Sequence, residues 1–166
     1  MVDHPNIVNL IDVYDNANHL ILVLELMDGG NLSKMIKKRS SVPEKEAFKV
    51  IHGIFEALSY LHRLNIVHRD LKPANIMFKI EDNPDAANIL ESDVSDVSDP
   101  QETVRVTKVV DFGLCADLTD HSSTSLLNDK SGTVGYLAPE LITKKRGEFY
   151  DDRVDVFSAG MIFYEM

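Results

Sequence analysis

Ala47, Val50, Ile51, Ile54, Leu58 and Leu61 recur at the spacing of an α-helix, and no other stretch constrains the fold of this chain as tightly. Such a stripe must be buried along one face. It predicts a long helix that begins near "SVPE" and runs to about Leu64. Ser41 and Glu44 have capping-box spacing, and Pro43 is tolerated in the first turn. Upstream, "HLILVLELM" (19–27) is an apolar run of strand length between the turn-like "YDNAN" and "DGGNL". It reads as a buried strand leading into a glycine linker, after which Asn31 caps a short helix through Ile36. The closing "DVFSAGMIFYEM" is apolar nearly all round, which predicts a helix buried on every side.

"NIMFKI" and "VRVTKVVDF" read as two strands, and between them lies a long polar excursion, so the pair predicts a hairpin with an expanded tip. Residues 81–102 hold eight Asp or Glu and no Lys or Arg; the remainder carries 19 acids against 17 bases. The net charge of −10 is therefore concentrated in one segment. That segment has too few large apolar groups to offset the entropy of ordering it, so about 81–103 is expected to be disordered. Ser92, Ser95 and Ser98 stand among its acids, either as targets of acid-directed kinases or as part of a solvating loop.

At 166 residues with 44% apolar content the chain is long enough for one domain with a real core. There is no apolar run of membrane-spanning length and no secretion signal, so an intracellular, cytoplasmic location is expected, with no membrane segment. No nucleic-acid partner is expected. The single Cys115 forms no internal disulfide and reads as a small buried side chain or a reactive thiol.

"HRDLKPANI" (68–76) has neither helical nor strand periodicity, yet it holds an Asp, a Lys and an Asn within six positions. One reading is a surface loop with ordinary charges. The other is phosphoryl transfer: the Asp70 carboxylate orients and deprotonates an attacking hydroxyl, Lys72 neutralises charge on the moving phosphoryl group, and the Asn75 amide oxygen holds a metal ion. "DFG" (111–113) follows a strand and places Asp111 to chelate magnesium with Asn75. By itself the tripeptide reads as a structural turn. Its place in the order HRDLKPxN, DFG, "GTVGYLAPE", "DVFSAG" is what makes it specific.

In that order the sequence resembles a eukaryotic-type protein kinase over nearly its whole length, the acidic segment excepted. The resemblance implies an α+β, protein-kinase-like fold. Residues 1–27 would be the last strands of the N-lobe and the hinge, and 28–166 a partial, mostly helical C-lobe. "HPNIV" resembles the segment joining the main N-lobe helix to the fourth strand. Leu24 falls at the gatekeeper position, Glu25 to Met27 resemble the adenine-binding hinge, and Met77 the floor beneath the ring. Asn31 stands with this nucleotide-binding set. Asp70 matches the catalytic Asp, Lys72 the phosphate-contacting Lys, and Asn75 and Asp111 the metal ligands, implying ATP and magnesium. Lys72 together with Thr133 resembles the serine/threonine class, whose partners are proteins offering Ser or Thr hydroxyls; "GTVGYLAPE" and "DVFSAG" lean toward the calcium/calmodulin-dependent group. His68, Phe112 and Leu10 match residues of the apolar spine, Gly113 closes the DFG turn, and Asp155 matches the residue bracing the HRD turn.

Arg69 beside the catalytic Asp implies control by phosphorylation of the activation segment, 111–140. The usual phosphosite position holds Asp129, which is expected either to act as a partial mimic contacting Arg69 or to be an exposed acid, with Ser122, Ser123, Thr124 and Ser125 as alternative sites. Kinases that prefer arginine upstream of the target often carry Glu where this chain has Asn31 and Ala74, so a strong basic preference is not expected. The glycine-rich loop, the strand lysine and its helix glutamate would all precede Met1. Also absent are the helices after Glu165, with the arginine that pairs with a glutamate matching Glu140. The expectation is a fragment of a serine/threonine kinase, by itself inactive and poorly soluble. The competing expectation is a naturally short, inactive kinase-derived binding protein.

Overall fold

A computed structural model describes residues 2–39, 41–82, 103–119, 132–143 and 150–166. Helix α1 (Leu32–Lys38) starts where expected: Asn31 is extended, and its side-chain oxygen accepts the Lys34 N–H at 2.9 Å. Helix α2 spans Glu44–Arg63, with Ala47, Val50, Ile51, Ile54, Ala57, Leu58 and Leu61 buried. The expected capping box does not form. Pro43 occupies the cap position and has no side chain to offer, while acidic Glu44 and Glu46 in the first turn complement the free N–H groups electrostatically.

Strands β1 (Leu10–Asn16) and β2 (His19–Leu24) form an antiparallel pair whose tight turn is held by the Asn16 Oδ1, which accepts the N–H groups of Asn18 and His19. The run expected to be a buried strand is an exposed one, with Leu20 64% and Leu22 53% accessible. Its two-stranded sheet is covered on neither face by another described element; it joins the body through buried Ile7, which bridges Val109.

After β3 (Ile66–Val67), a single 3-10 turn at Pro73–Asn75 leads into β4 (Ile76–Asp82). Strand β4 pairs with β5 (Thr103–Val109) in unbroken antiparallel register from Ile76 opposite Val109 to Asp82 opposite Thr103. The expected hairpin is present; of the segment expected to be disordered, about 81–103, Glu81, Asp82 and Thr103 are instead paired in its strands, and 83–102 lies outside the described residues. Strand β5 packs on α2 so closely that a Cβ on Gly53 would stand 2.9 Å from that of Thr107, which excludes any larger residue there. Strand β6 (Ala116–Asp117) pairs with β3.

Helices α3 (Pro139–Thr143) and α4 (Arg153–Glu165) complete the described elements. Helix α4 packs against α2, with Ala159 and Ile162 in the core cluster that holds the α2 stripe, while Val154 joins a second cluster with Val67 and Leu141. It is not buried on every side as its composition implied, since Phe163 and Tyr164 are 51% and 88% exposed. An all-apolar sequence has no polar stripe to mark a solvent side, so neighbouring elements decide which face is covered. Among the described residues no helix is long and apolar enough to cross a membrane.

Candidate active site

The turn after β3 carries Arg69 at φ +68°, a conformation that costs a non-glycine residue roughly 1–3 kcal/mol. Asp155, fully buried on α4, holds it there: Oδ1 accepts the Arg69 N–H and Oδ2 the His68 N–H, both at 2.8 Å. His62 of α2 stands 3.0 Å from the same Oδ2. Inside the turn, His68 Nδ1 accepts the Asp70 N–H at 3.3 Å, while Nε2 lies 3.1 Å from the Val110 carbonyl. Nε2 therefore carries the proton. Burial pushes the His68 pKa down against the pull of Asp155, keeping the ring neutral. Phe112 meets that ring edge-on at 5.1 Å, so the HRD and DFG segments share one packed contact.

The Asp70 carboxylate is met by three polar side chains. Thr133, 63 residues away in sequence, donates its hydroxyl to Asp70 Oδ1 at 2.6 Å; Lys72 Nζ reaches Oδ2 at 2.6 Å and the Thr133 hydroxyl at 2.9 Å. The Asn75 amide donates to the Asp70 carbonyl at 2.9 Å and to Oδ2 at 3.2 Å. Burial raises the Asp70 pKa, but Lys72, Thr133 and Asn75 outweigh it and hold the carboxyl below its ordinary value.

With its Nδ2 committed, Asn75 has only Oδ1 left. That atom has no hydrogen-bond partner among the described residues, and no buried side-chain polar atom there is orphaned, so Oδ1 faces accessible space. Asp111 sits one residue beyond Val110, whose N–H donates to the Asn75 carbonyl at 3.0 Å. It adopts φ +68°, and among the described residues the one hydrogen bond its exposed carboxylate makes is a long one from the Gly113 N–H at 3.4 Å. An amide oxygen without a partner among the described residues and an exposed carboxylate on adjacent backbone segments suit a hard cation that keeps waters and phosphate oxygens as its other ligands.

Arg69 is buried, donating to the Leu114 carbonyl and to the Tyr150 hydroxyl at 3.0 Å. Its proposed partner Asp129, like Ser122 to Ser125, lies outside the described residues. Glu140 is exposed in the first turn of α3, lining a surface pocket with Asp151 and Arg153. Cys115 is half-buried, and burial pushes its thiol pKa up, which favours an inert side chain.

At the hinge-like segment, the glycine linker zips onto β4: Gly29 N–H donates to Phe78 O and Phe78 N–H to Gly30 O, both at 2.9 Å, bringing Asn31 opposite Met77. Asn31 spends its side-chain oxygen on the α1 cap. Leu24 pairs with Leu10 across β1 and β2 and is 44% exposed, and Met27 is partly exposed. The Glu25 carboxylate turns inward, taking Lys108 Nζ at 2.7 Å, the Asn9 N–H at 2.8 Å and Lys79 Nζ at 3.1 Å. Sequence reasoning did not find Lys108, Lys79, His62 or Tyr150. The two lysines left a trace, as charges interrupting otherwise apolar strands.

The protein kinase domain family model matches residues 1–166. Calcium-dependent protein kinase 5 of Plasmodium falciparum is 38% identical over 98% of this chain and 24% of its own length. Human calcium/calmodulin-dependent protein kinase type 1B is 37% identical over 98% of this chain and 40% of its own. The chain thus spans between a quarter and two-fifths of these relatives. Matched from end to end, and with Lys72, Asn75 and Thr133 gathered about the Asp70 carboxylate, the chain belongs to the protein kinase domain family.

Proposed function

We propose that this chain carries the phosphoryl-transfer half of a magnesium- and ATP-dependent serine/threonine protein kinase. The observation that carries the reading is the Asp70 carboxyl group, met at once by Lys72, Thr133 and Asn75. Asp70 orients the Ser or Thr hydroxyl of a protein substrate and receives its proton as the oxygen bonds to the γ-phosphorus of ATP and the bond from that phosphorus to the bridging oxygen breaks, releasing ADP. A carboxyl with a lowered pKa is a poor base until the oxygen–phosphorus bond is largely formed, so its first contribution is orientation. Lys72 neutralises the moving phosphoryl group and keeps Asp70 ionised. Thr133 fixes the rotamer of Asp70 from the far side.

When bound, magnesium would supply positive charge against that developing on the phosphate oxygens. Asn75 and Asp111 would hold it. Glu25 to Met27 and Met77 line the adenine side. His68, Phe112 and Asp155 act as positioning residues, holding the turn on which Asp70 sits.

The test is phosphoryl transfer from ATP to a Ser/Thr peptide by a complete domain containing this chain. Asp111→Asn is expected to abolish turnover and to weaken magnesium-dependent nucleotide binding measured by calorimetry. Unchanged turnover and unchanged magnesium dependence would refute the assignment.

A further inference from the structure

A groove of about 560 Å³ lies between the first turns of α2 and one face of the β4–β5 hairpin, and none of the residues around Asp70 lines it. Ile80 stands opposite Arg105 and Phe78 opposite Thr107 in the hairpin register, so these four side chains share the groove face. Around them are Arg39, Lys45 and Lys49. The one acid in the lining, Glu46, is shared by Arg39 and Arg105, the latter at 3.5 Å. Lys45 and Lys49 are exposed and have no carboxylate partner among the described residues. Four cations against one carboxylate, over an apolar floor, make a cationic amphipathic groove in a chain of net charge −10.

The matching charge lies next to it in sequence. Residues 83–102 join Asp82 of β4 to Thr103 of β5, and the lining residues Ile80, Val104 and Arg105 flank the two exits. The segment holds Asp85, Glu91, Asp93, Asp96, Asp99 and Glu102 with no base, and Ile89, Leu90, Val94 and Val97 are spaced among the acids. Twenty residues reach far enough to fold back over a groove at their own root, at about 3.3 Å per residue when extended. Tethering at both ends presents them at an effective concentration on the order of millimolar.

We propose that this groove is a binding site for an acidic peptide and that its ligand is the chain's own segment 83–102. The carboxylates pair with Lys45, Lys49 and the arginines, and the aliphatic side chains meet the apolar floor at Ile80. Phosphorylation of Ser92, Ser95 or Ser98 adds about −1.5 to −2 charges each and strengthens the contact.

Zero-length carbodiimide cross-linking of the intact chain, mapped by mass spectrometry, reads the contact directly. The expected products join Lys45 or Lys49 to acids of 83–102 and are suppressed by molar salt. Absence of such products overturns the proposal. A labelled peptide of sequence 83–102 is then titrated against the intact chain and against a variant with the segment replaced by a short Asn-Gly turn. The shortened variant is expected to bind it at least about tenfold more tightly than the intact chain, and the pair Lys45→Glu and Lys49→Glu to remove most of that affinity. Equal binding to intact and shortened chains would make the groove a site for a partner in trans and sink the assignment to its own segment. Should the shortened variant fail to fold, the cross-link map of the intact chain decides.

Discussion

Asp155 and Arg69, 86 residues apart, are joined by a 2.8 Å hydrogen bond from the Arg69 backbone N–H to a carboxylate with no exposed surface. A left-handed arginine is thereby held in place by a helix that reaches the turn only in the folded chain. Asp155→Ala orphans two buried N–H groups and removes the His62 contact. The expected loss is about 2–5 kcal/mol in unfolding free energy, read by denaturant titration. Asp155→Asn retains one acceptor but points an amide donor at a backbone donor, so it is expected to fall only partway back to wild type.

Thr133 tests the electrostatics of Asp70. Its hydroxyl is one of the donors that, with Lys72, hold the Asp70 pKa down against burial. Thr133→Val is expected to raise that pKa and move the acid limb of the kcat/KM profile to higher pH, with activity lower by about tenfold to a hundredfold. Thr133→Ser is expected to restore both. Because the folded-state pKa is depressed, Asp70 contributes stability that is present above the ordinary carboxylate pKa and is lost as pH falls through the folded value. The valine variant is expected to begin losing that contribution at a higher pH.

The Glu25 and Lys108 side chains form a nearly buried pair. Burial raises the Glu25 pKa, but Lys108, the Asn9 N–H and Lys79 outweigh it and hold the carboxyl below its ordinary value. Lys108→Met leaves that carboxylate without its closest cation, with Lys79 and the Asn9 N–H still on it, and is expected to cost about 1–3 kcal/mol in thermal or denaturant unfolding. The double variant with Glu25→Leu is expected to recover most of the loss, because no uncompensated charge then remains.

Ala74 is exposed beside Asn75 and offers no carboxylate to a substrate. Ala74→Glu is expected to lower KM for peptides with an arginine upstream of the target by about threefold to tenfold, and to leave kcat unchanged. A peptide-array comparison of the two proteins checks this. A uniform change across all peptides would indicate damage to the turn instead of new recognition.

The period of the apolar residues determined α2 and the β4–β5 hairpin, because a repeated stripe or alternation carries its own geometry whatever it packs against. Local order determined the candidate chemistry of Asp70, Lys72, Asn75 and Asp111, which occupy two short turns of unusual composition. Burial was decided by the tertiary structure. The run 19–27 and the last helix are apolar enough for any interior, yet β2 and one side of α4 are exposed, since coverage depends on neighbours. Side-chain partnerships were decided there too. Thr133 reaches Asp70, Lys108 reaches Glu25 and Tyr150 reaches Arg69 only after strands and helices distant in sequence have packed. A hydrogen bond or a buried ion pair depends on ångströms that no residue spacing encodes.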